Sequence, residues 1–185
     1  MRSRPKIALY EPRIPQNTGN IARTCAAFQL ELNLIEPLGF SLEDKYLKRS
    51  GLDYWPLVNL RIHQNFDSFY EQLSPESRLI GLSKSAENSL SDFTFSENDI
   101  LIYGREDIGL PSNVHTMCYK MLSIPMPGSC YEQKEGVRSL NLSVSVAGCS
   151  LTYTIQSEGK FFAKFSIKFI VSSHRGPSTF EEYSG

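Results

Sequence analysis

The chain has 185 residues, 41% hydrophobic and 21% charged, with a formal net charge of −1. That length suits one domain with its own core, and that balance excludes a disordered chain or a protein that coats nucleic acid through bulk positive charge. A local basic face stays open. Cys25, Cys118, Cys130 and Cys149 form no C-x-x-C pair, and His63, His115 and His174 stand singly, so no clustered ligand set exists and no metal is expected. The thiols read as reduced and partly buried in a cytoplasmic protein. No apolar run approaches the roughly 20 residues of a membrane span, and the basic segment Met1-Arg2-Ser3-Arg4-Pro5 leads into a short strand rather than a signal-peptide core.

In chain order, short β-like runs alternate with helical stretches, which favours an α/β domain whose sheet is mostly parallel and flanked by helices. Strands are expected at 6–10, 32–35, 78–83 and 99–103, with another ending near Ile124; 57–62 is a weaker candidate. The segment after Asn17 reads as a helix, with Ile21, Cys25 and Phe28 on one stripe. Arg23 falls about 200° round that helix from Ile21, free to face a cleft. Shorter helices are expected at 42–49 and 67–73. Residues 140–146 alternate like a strand, yet Leu140, Val144, Ala147 and Leu151 also form a helical stripe. In 160–171 the odd positions are apolar while Lys160, Lys164 and Lys168 keep helical spacing. Periodicity leaves both segments open.

Three Gly- or Pro-marked segments stand where chemistry belongs. Pro15-Gln16-Asn17-Thr18-Gly19-Asn20-Ile21-Ala22-Arg23 joins a strand to a helix, and a helix N-terminus offers unpaired N–H groups to an anion. A capped turn explains the same residues. Tyr103-Gly104-Arg105-Glu106-Asp107-Ile108-Gly109-Leu110-Pro111 follows a strand, at the carboxyl end where open α/β sheets bind ligands. The third segment runs from Ile124-Pro125-Met126-Pro127-Gly128 to Arg138-Ser139-Leu140-Asn141-Leu142-Ser143. Its apolar residues could wall an adenine, and Ser139 and Asn141 could hydrogen-bond a ligand. No G-x-G-x-x-G, Walker A or G-x-S-x-G pattern is present, which argues against dinucleotide-dependent dehydrogenases, P-loop NTPases and serine hydrolases.

Together these segments resemble the SPOUT superfamily of knotted RNA methyltransferases, in particular the small tRNA wobble-position (cytidine/uridine) 2′-O-methyltransferases. The likeness begins at Leu9-Tyr10-Glu11-Pro12-Arg13-Ile14-Pro15-Gln16-Asn17-Thr18-Gly19-Asn20. It continues through Ile35-Glu36-Pro37-Leu38-Gly39-Phe40 and Gly51-Leu52-Asp53-Tyr54, then the 103–111 loop and Arg138-Ser139-Leu140-Asn141-Leu142-Ser143. It covers about residues 6–155. The 36–40 and 51–54 stretches favour the wobble subgroup over rRNA-directed relatives. The resemblance implies a C-terminal trefoil knot, a homodimer, tRNA as substrate and S-adenosyl-L-methionine as methyl donor. It implies Leu82, Gly104, Ile124, Met126, Ser139 and Leu140 at the cofactor, and Asn17, Arg23, Glu106, Ser139 and Asn141 in the catalytic neighbourhood.

The resemblance thus divides the chain into a methyltransferase domain at 1–156 and a tail at 157–185. Two departures stand out: a longer knot loop between Pro127 and Arg138, and that tail, which has no counterpart in the small members. The rival readings are an rRNA 2′-O-methyltransferase and an RNA-binding protein that kept the fold without catalysis. Relatives are described with the counterpart of Arg23 as general base. Neutralising an arginine of reference pKa about 12.5 at pH 7 costs roughly 7 kcal/mol. Arg23 is therefore expected to orient a phosphate and polarise the hydroxyl, with Glu106 holding either Arg23 or a backbone N–H. Lys45, Lys48 and Arg49 share one expected helix face and could meet phosphates, as could the tail lysines, although a solvated face serves equally.

Overall fold

The computed structural model describes residues 5–43, 47, 54–126 and 139–158, the side chains of 157 and 158 excepted. Among them are seven strands: β1 (Lys6–Tyr10), β2 (Glu31–Ile35), β3 (Asn59–His63), β4 (Arg78–Leu82), β5 (Asn88–Ser89), β6 (Asp99–Tyr103) and β7 (Lys120–Ser123). They form one sheet in the order β3-β2-β1-β6-β4-β7-β5, and every pairing is parallel. The helices are α1 (Pro15–Phe28), α2 (Phe66–Tyr70), α3 (Ser112–Met117) and α4 (Leu142–Glu158).

A parallel sheet covered on both faces requires strands that are apolar in both directions. On β1, Ile7 and Leu9 join the cluster formed with Ile21, Ala22 and Cys25 of α1 and Val146 and Cys149 of α4. Ala8 points the other way, into the cluster with Phe66, Phe69 and Val114 of α2 and α3. On β6, Leu101 and Tyr103 face the first layer and Ile100 and Ile102 the second. Each large apolar side chain buried in this way contributes about 1.5–3 kcal/mol. At the amino ends of β4 and β6, Arg78 binds Asp99 through Nε at 2.6 Å and Nη2 at 2.7 Å, with its guanidinium near the rings of Phe93 (5.3 Å) and Tyr119 (5.1 Å). The carboxyl ends of the strands, opposite this clamp, carry the site.

The ambiguous 140–146 segment is helical from Leu142 on, and its cap shows why. The Asn141 side-chain oxygen accepts the Ser143 amide at 2.9 Å, which starts α4 and overrides the local alternation. The expected stripe is on the wrong face, however. Val144 and Leu151 are exposed, while Val146, Cys149, Ser150 and Tyr153 are buried. The helix is apolar on more than one side, so spacing alone chose poorly. Gln156 pins the far end of α4, accepting from the Phe95 amide (3.1 Å) and donating to the Phe93 carbonyl (2.9 Å).

Smaller shifts follow from local geometry. Expected strand 57–62 is Asn59–His63 because Trp55–Leu57 forms a 3-10 turn, and strand 78–83 stops at Leu82. Expected helix 67–73 is Phe66–Tyr70, started by a capping box between Asn65 and Ser68. Of the expected 42–49 helix, Leu42 and Glu43 lie in a turn and Leu47 is helical and buried; Lys45, Lys48 and Arg49 fall outside the described residues. So do residues 127–138, with Cys130 and Arg138, and the 160–171 segment with its lysines.

Candidate active site

β1 runs out of the sheet at Tyr10, and Glu11 turns the chain with a left-handed φ of 45°. Its amide stays tied to the Ile35 carbonyl at 2.9 Å. Pro15 then opens α1, suited to a first helical position that needs no N–H donor. The residue before it, Ile14, has no side chain to cap the helix. The cap comes from 92 residues away. Glu106 accepts the Ile14 amide at 3.3 Å with Oε1 and the Arg13 amide at 2.8 Å with Oε2. A carboxylate at a helix N-terminus also meets the positive end of the helix dipole.

Glu106 sits on the loop after β6, the neighbouring strand. That loop is a tight turn closed by two backbone bonds between Arg105 and Gly109, at 3.1 and 2.9 Å, and Gly109 takes the positive φ of 76° that the turn requires. Gly104 starts the loop where a Cβ would collide with the backbone of Gly109 and Leu110.

From Glu106 a directional chain of amides crosses the site. Carboxylate oxygens only accept, so Asn17 must present Nδ2 to Glu106 Oε1, at 3.1 Å. Its Oδ1 is then free to accept Asn141 Nδ2 at 3.0 Å. Asn141 in turn keeps Oδ1 for the Ser143 amide and hydroxyl, at 2.9 and 2.7 Å. One carboxylate thus fixes the orientation of both asparagines and joins the starts of α1 and α4.

Around this chain lies a web of charges. Glu11 Oε2 accepts from Arg13 Nη2 at 3.0 Å and Arg105 Nη1 at 3.4 Å, linking the two loops. Arg105 also grips Asp107 through two bonds, 2.9 and 2.7 Å, which holds the Asp107 carboxyl down at about 2. Beneath, Tyr103 is buried beside Cys149 and Cys25. Burial pushes its phenol well above its ordinary range and raises Cys25 to about 12 and Cys149 to about 11, so these groups stay protonated.

A cavity of about 650 Å³ opens beside the amide chain. Leu82, Leu122, Ile124, Leu140 and Leu142 give it apolar walls, and Ser83, Lys84, Ser139 and the 104–109 backbone supply polar groups. It lies at the carboxyl ends of β6, β4 and β7, next to β1, where the strand order switches: β2 and β3 follow β1 to one side and the later strands lie on the other, the usual ligand position in open α/β sheets.

A sequence model of the SpoU rRNA Methylase family matches residues 4–150. The chain belongs to this family. Among its SpoU relatives, a protein from Synechocystis sp. is 46% identical over 143 residues, 77% of this chain and 90% of its own length. Proteins of Methylovorus glucosotrophus (40% over 141 residues, 76% of this chain and 88% of theirs) and Beijerinckia indica (39% over 142 residues, 76% and 84%) are named tRNA (cytidine(34)-2′-O)-methyltransferase. A solved structure described as "Structural insights into the 2-OH methylation of C/U34 on tRNA" matches at TM-score 0.80 and 44% identity, over 86% of this chain and 100% of its own. The SpoU methyltransferase AviRb of Streptomyces viridochromogenes, solved with AdoMet, shares the fold at TM-score 0.74 and 20% identity, over 84% of this chain and 61% of its own.

Within this SpoU chain the cavity gathers Leu82, Gly104, Ile124, Met126, Ser139 and Leu140, all six residues singled out for a cofactor. Asn17, Glu106 and Asn141 also line it. Arg23 does not. It lies six residues beyond Asn17, about 9 Å along α1 and ~120° round it, with its guanidinium over the Tyr54 ring at 4.8 Å. The expected Glu106–Arg23 contact is therefore replaced by the other option, Glu106 on backbone N–H groups. Glu11, Arg13, Arg105 and Asp107 were missed as site residues, because nothing local distinguishes their charges from solvated ones.

Among the described residues no His, Cys, Asp or Glu cluster could hold a metal, and no helix is long and apolar enough to cross a membrane.

Proposed function

We propose that this protein transfers the methyl group of S-adenosylmethionine to the ribose 2′-hydroxyl of the wobble nucleotide, position 34, of tRNA. The observation that carries this reading is the Glu106–Asn17–Asn141 amide chain on the edge of a ligand-sized cavity, in a chain 39–46% identical to relatives of which several are named for that reaction. The cavity suits the cofactor by volume and chemistry. Pockets of roughly 300–1,000 Å³ hold such molecules, and an apolar slot with a few polar ends fits an adenosine. Leu82, Ile124, Met126 and Leu140 would hold the base, and Ser139 and the Gly104 backbone the polar parts. When bound, S-adenosylmethionine supplies an electrophilic methyl group on a sulfonium.

The chain's own residues orient the acceptor. Asn17 and Asn141 are locked in one amide orientation, and positioning of this kind lowers a displacement barrier by several kcal/mol. Arg23 meets the RNA phosphate and polarises the hydroxyl through its guanidinium, whose planar fork of donors matches phosphate oxygens. Because Arg23 and Asn17 face different directions on α1, the reading needs a homodimer in which Arg23 of one copy approaches the cavity of the other. The exposed Leu140, Val144, Leu151 and Ile155, with Ile14, supply an apolar face for such an interface. The same reading takes 1–156 as the methyltransferase domain with a trefoil knot at its C-terminal end and 157–185 as a tail, and puts the enzyme in the cytoplasm with its substrate.

The test is methylation of a tRNA panel with nucleoside mass spectrometry, comparing wild type with Arg23→Ala and Arg23→Lys. A 2′-O-methyl nucleoside from the anticodon loop, lost in Arg23→Ala, is expected. Methyl groups on bases, on ribose elsewhere in tRNA, or only on rRNA overturn the assignment. Unchanged turnover in Arg23→Lys across pH would remove any role for guanidinium geometry.

A further inference from the structure

Among the described arginines, Arg13 pairs with Glu11, Arg61 with Glu31, Arg78 with Asp99 and Arg105 with Asp107. Arg23 has no carboxylate partner among the described residues. Its guanidinium instead lies over the face of Tyr54, 4.8 Å from the ring centroid. The two kinds of partner differ in what they leave behind. A carboxylate holds an arginine by cancelling its charge and occupying its donors. An aromatic face attracts the cation through its quadrupole, leaves the charge intact and leaves the N–H groups directed outward in the guanidinium plane.

The ring is itself well placed to act as a platform. Tyr54 is half-buried, and its carbonyl accepts the Leu57 amide at 2.8 Å, which closes the 3-10 turn Trp55–Leu57. Trp55 and Val58 pack on the same core cluster as α1. Tyr54 is thus fixed to the core while Arg23 is exposed on a helix surface, where a long side chain would otherwise sample many rotamers.

We infer that Tyr54 is a positioning residue of the methyl-transfer reaction, acting through Arg23: its ring face holds the guanidinium oriented and uncancelled for the RNA phosphate. This rests on the reading of Arg23 as the cation of the reaction. The ring face is the working element, and the Tyr54 hydroxyl has no part in it.

The experiment is a double-mutant cycle on the full chain, with tRNA methylation rates and calorimetric S-adenosylmethionine binding for wild type, Tyr54→Leu, Tyr54→Phe, Tyr54→Trp, Arg23→Ala and Tyr54→Leu/Arg23→Ala. Tyr54→Leu is expected to lower kcat by about two- to fivefold, the rate equivalent of an exposed cation–π contact of ~0.5–1 kcal/mol. Cofactor affinity should be unchanged. Tyr54→Phe and Tyr54→Trp, which keep a ring face, should stay within about twofold of wild type. In the Arg23→Ala background, where only the residual single-turnover rate at high enzyme excess is read, Tyr54→Leu should have no further effect. A loss in Tyr54→Phe equal to that in Tyr54→Leu, an unchanged kcat in Tyr54→Leu, or a further loss without Arg23 overturns the role of the ring. If Tyr54→Leu proves unstable, the Phe and Trp variants decide alone, because rates that fall more than about threefold in both refute it. A wild-type rate in Arg23→Ala sinks the Arg23 reading and this inference together, whereas a dead Arg23→Ala with a fully active Tyr54→Leu sinks the inference alone.

Discussion

Glu106→Gln is the sharpest perturbation of the site, because it changes one acceptor into a donor at constant shape. The carboxylate accepts from the Arg13 amide, the Ile14 amide and Asn17 Nδ2. An amide has a single oxygen. Placed at the Oε1 position, it keeps Ile14 and Asn17 but turns an NH2 group on the Arg13 amide, 2.8 Å away. The opposite orientation loses two bonds and would force Asn17 and then Asn141 to flip, uncapping α4. The first arrangement wins. One unsatisfied part-buried donor costs about 1–3 kcal/mol, and the surviving bonds lose their charge assistance. A destabilisation of about 2–3 kcal/mol is expected, or a Tm lower by ~4–12 °C for a domain of this size. Turnover should fall about tenfold, the kinetic equivalent of ~1.4 kcal/mol lost from orienting the asparagines. Calorimetric melts read the first quantity and tRNA methylation the second. A variant that melts within about 1 °C of wild type and methylates normally would refute the idea that this carboxylate organises the site.

Three further outcomes are expected. On the proposed homodimer, mixing inactive Arg23→Ala and Glu106→Ala proteins should restore about a quarter of the wild-type sites, since half of randomly exchanged dimers carry one intact composite site; no recovery after verified subunit exchange would mean that Arg23 serves its own chain. Gly104→Ala should abolish measurable S-adenosylmethionine binding, because the new Cβ can be accommodated only by moving the 105–109 turn, and calorimetry showing wild-type affinity would contradict this. His63 should give an acid-sensitive step in stability. Asn33 spends its Nδ2 on the Ile7 carbonyl and Glu31, so its oxygen accepts from His63 Nε2 at 2.8 Å, which leaves Nδ1 bare and buried, with no partner among the described residues. Burial first, then Arg61, lowers the His63 pKa. Above pH ~6.5 folded and unfolded forms are both neutral and nothing is lost. Below it the unfolded chain takes up a proton that the folded one resists, so stability drops as pH falls. Denaturant titrations from pH 7 to 5 should show a shallower loss in His63→Gln; parallel curves would exclude the histidine as the cause.

The features read correctly from the sequence were those encoded locally. Strands β1 and β6 stood out as short apolar runs, and α1 by its Ile21–Cys25–Phe28 stripe, although it begins at Pro15 rather than after Asn17. The two-residue β5 was too short to leave a pattern. For α4, the Asn141–Ser143 cap was a usable helix signal. The burial face was not legible, because Val144 and Leu151 are as apolar as Val146 and Cys149 and only packing on the sheet separates them. In the site, the six residues expected at a cofactor come together because they lie on or beside loops at the carboxyl ends of β4, β6 and β7 and just before α4. What stayed hidden were the long-range ties. An Ile14 helix start capped by a carboxylate 92 residues on, and two arginines joined by Glu11, depend on sheet order that no local spacing records.

Methyl transfer to one ribose hydroxyl is tested most directly by removing that single oxygen. Two tRNA transcripts, identical except for a 2′-deoxy residue at position 34, should be incubated with the enzyme and methyl-labelled S-adenosylmethionine. Label is expected to enter the ribose-containing tRNA and to be absent from the 2′-deoxy one, while both compete equally for binding. Equal incorporation into the two would contradict the account.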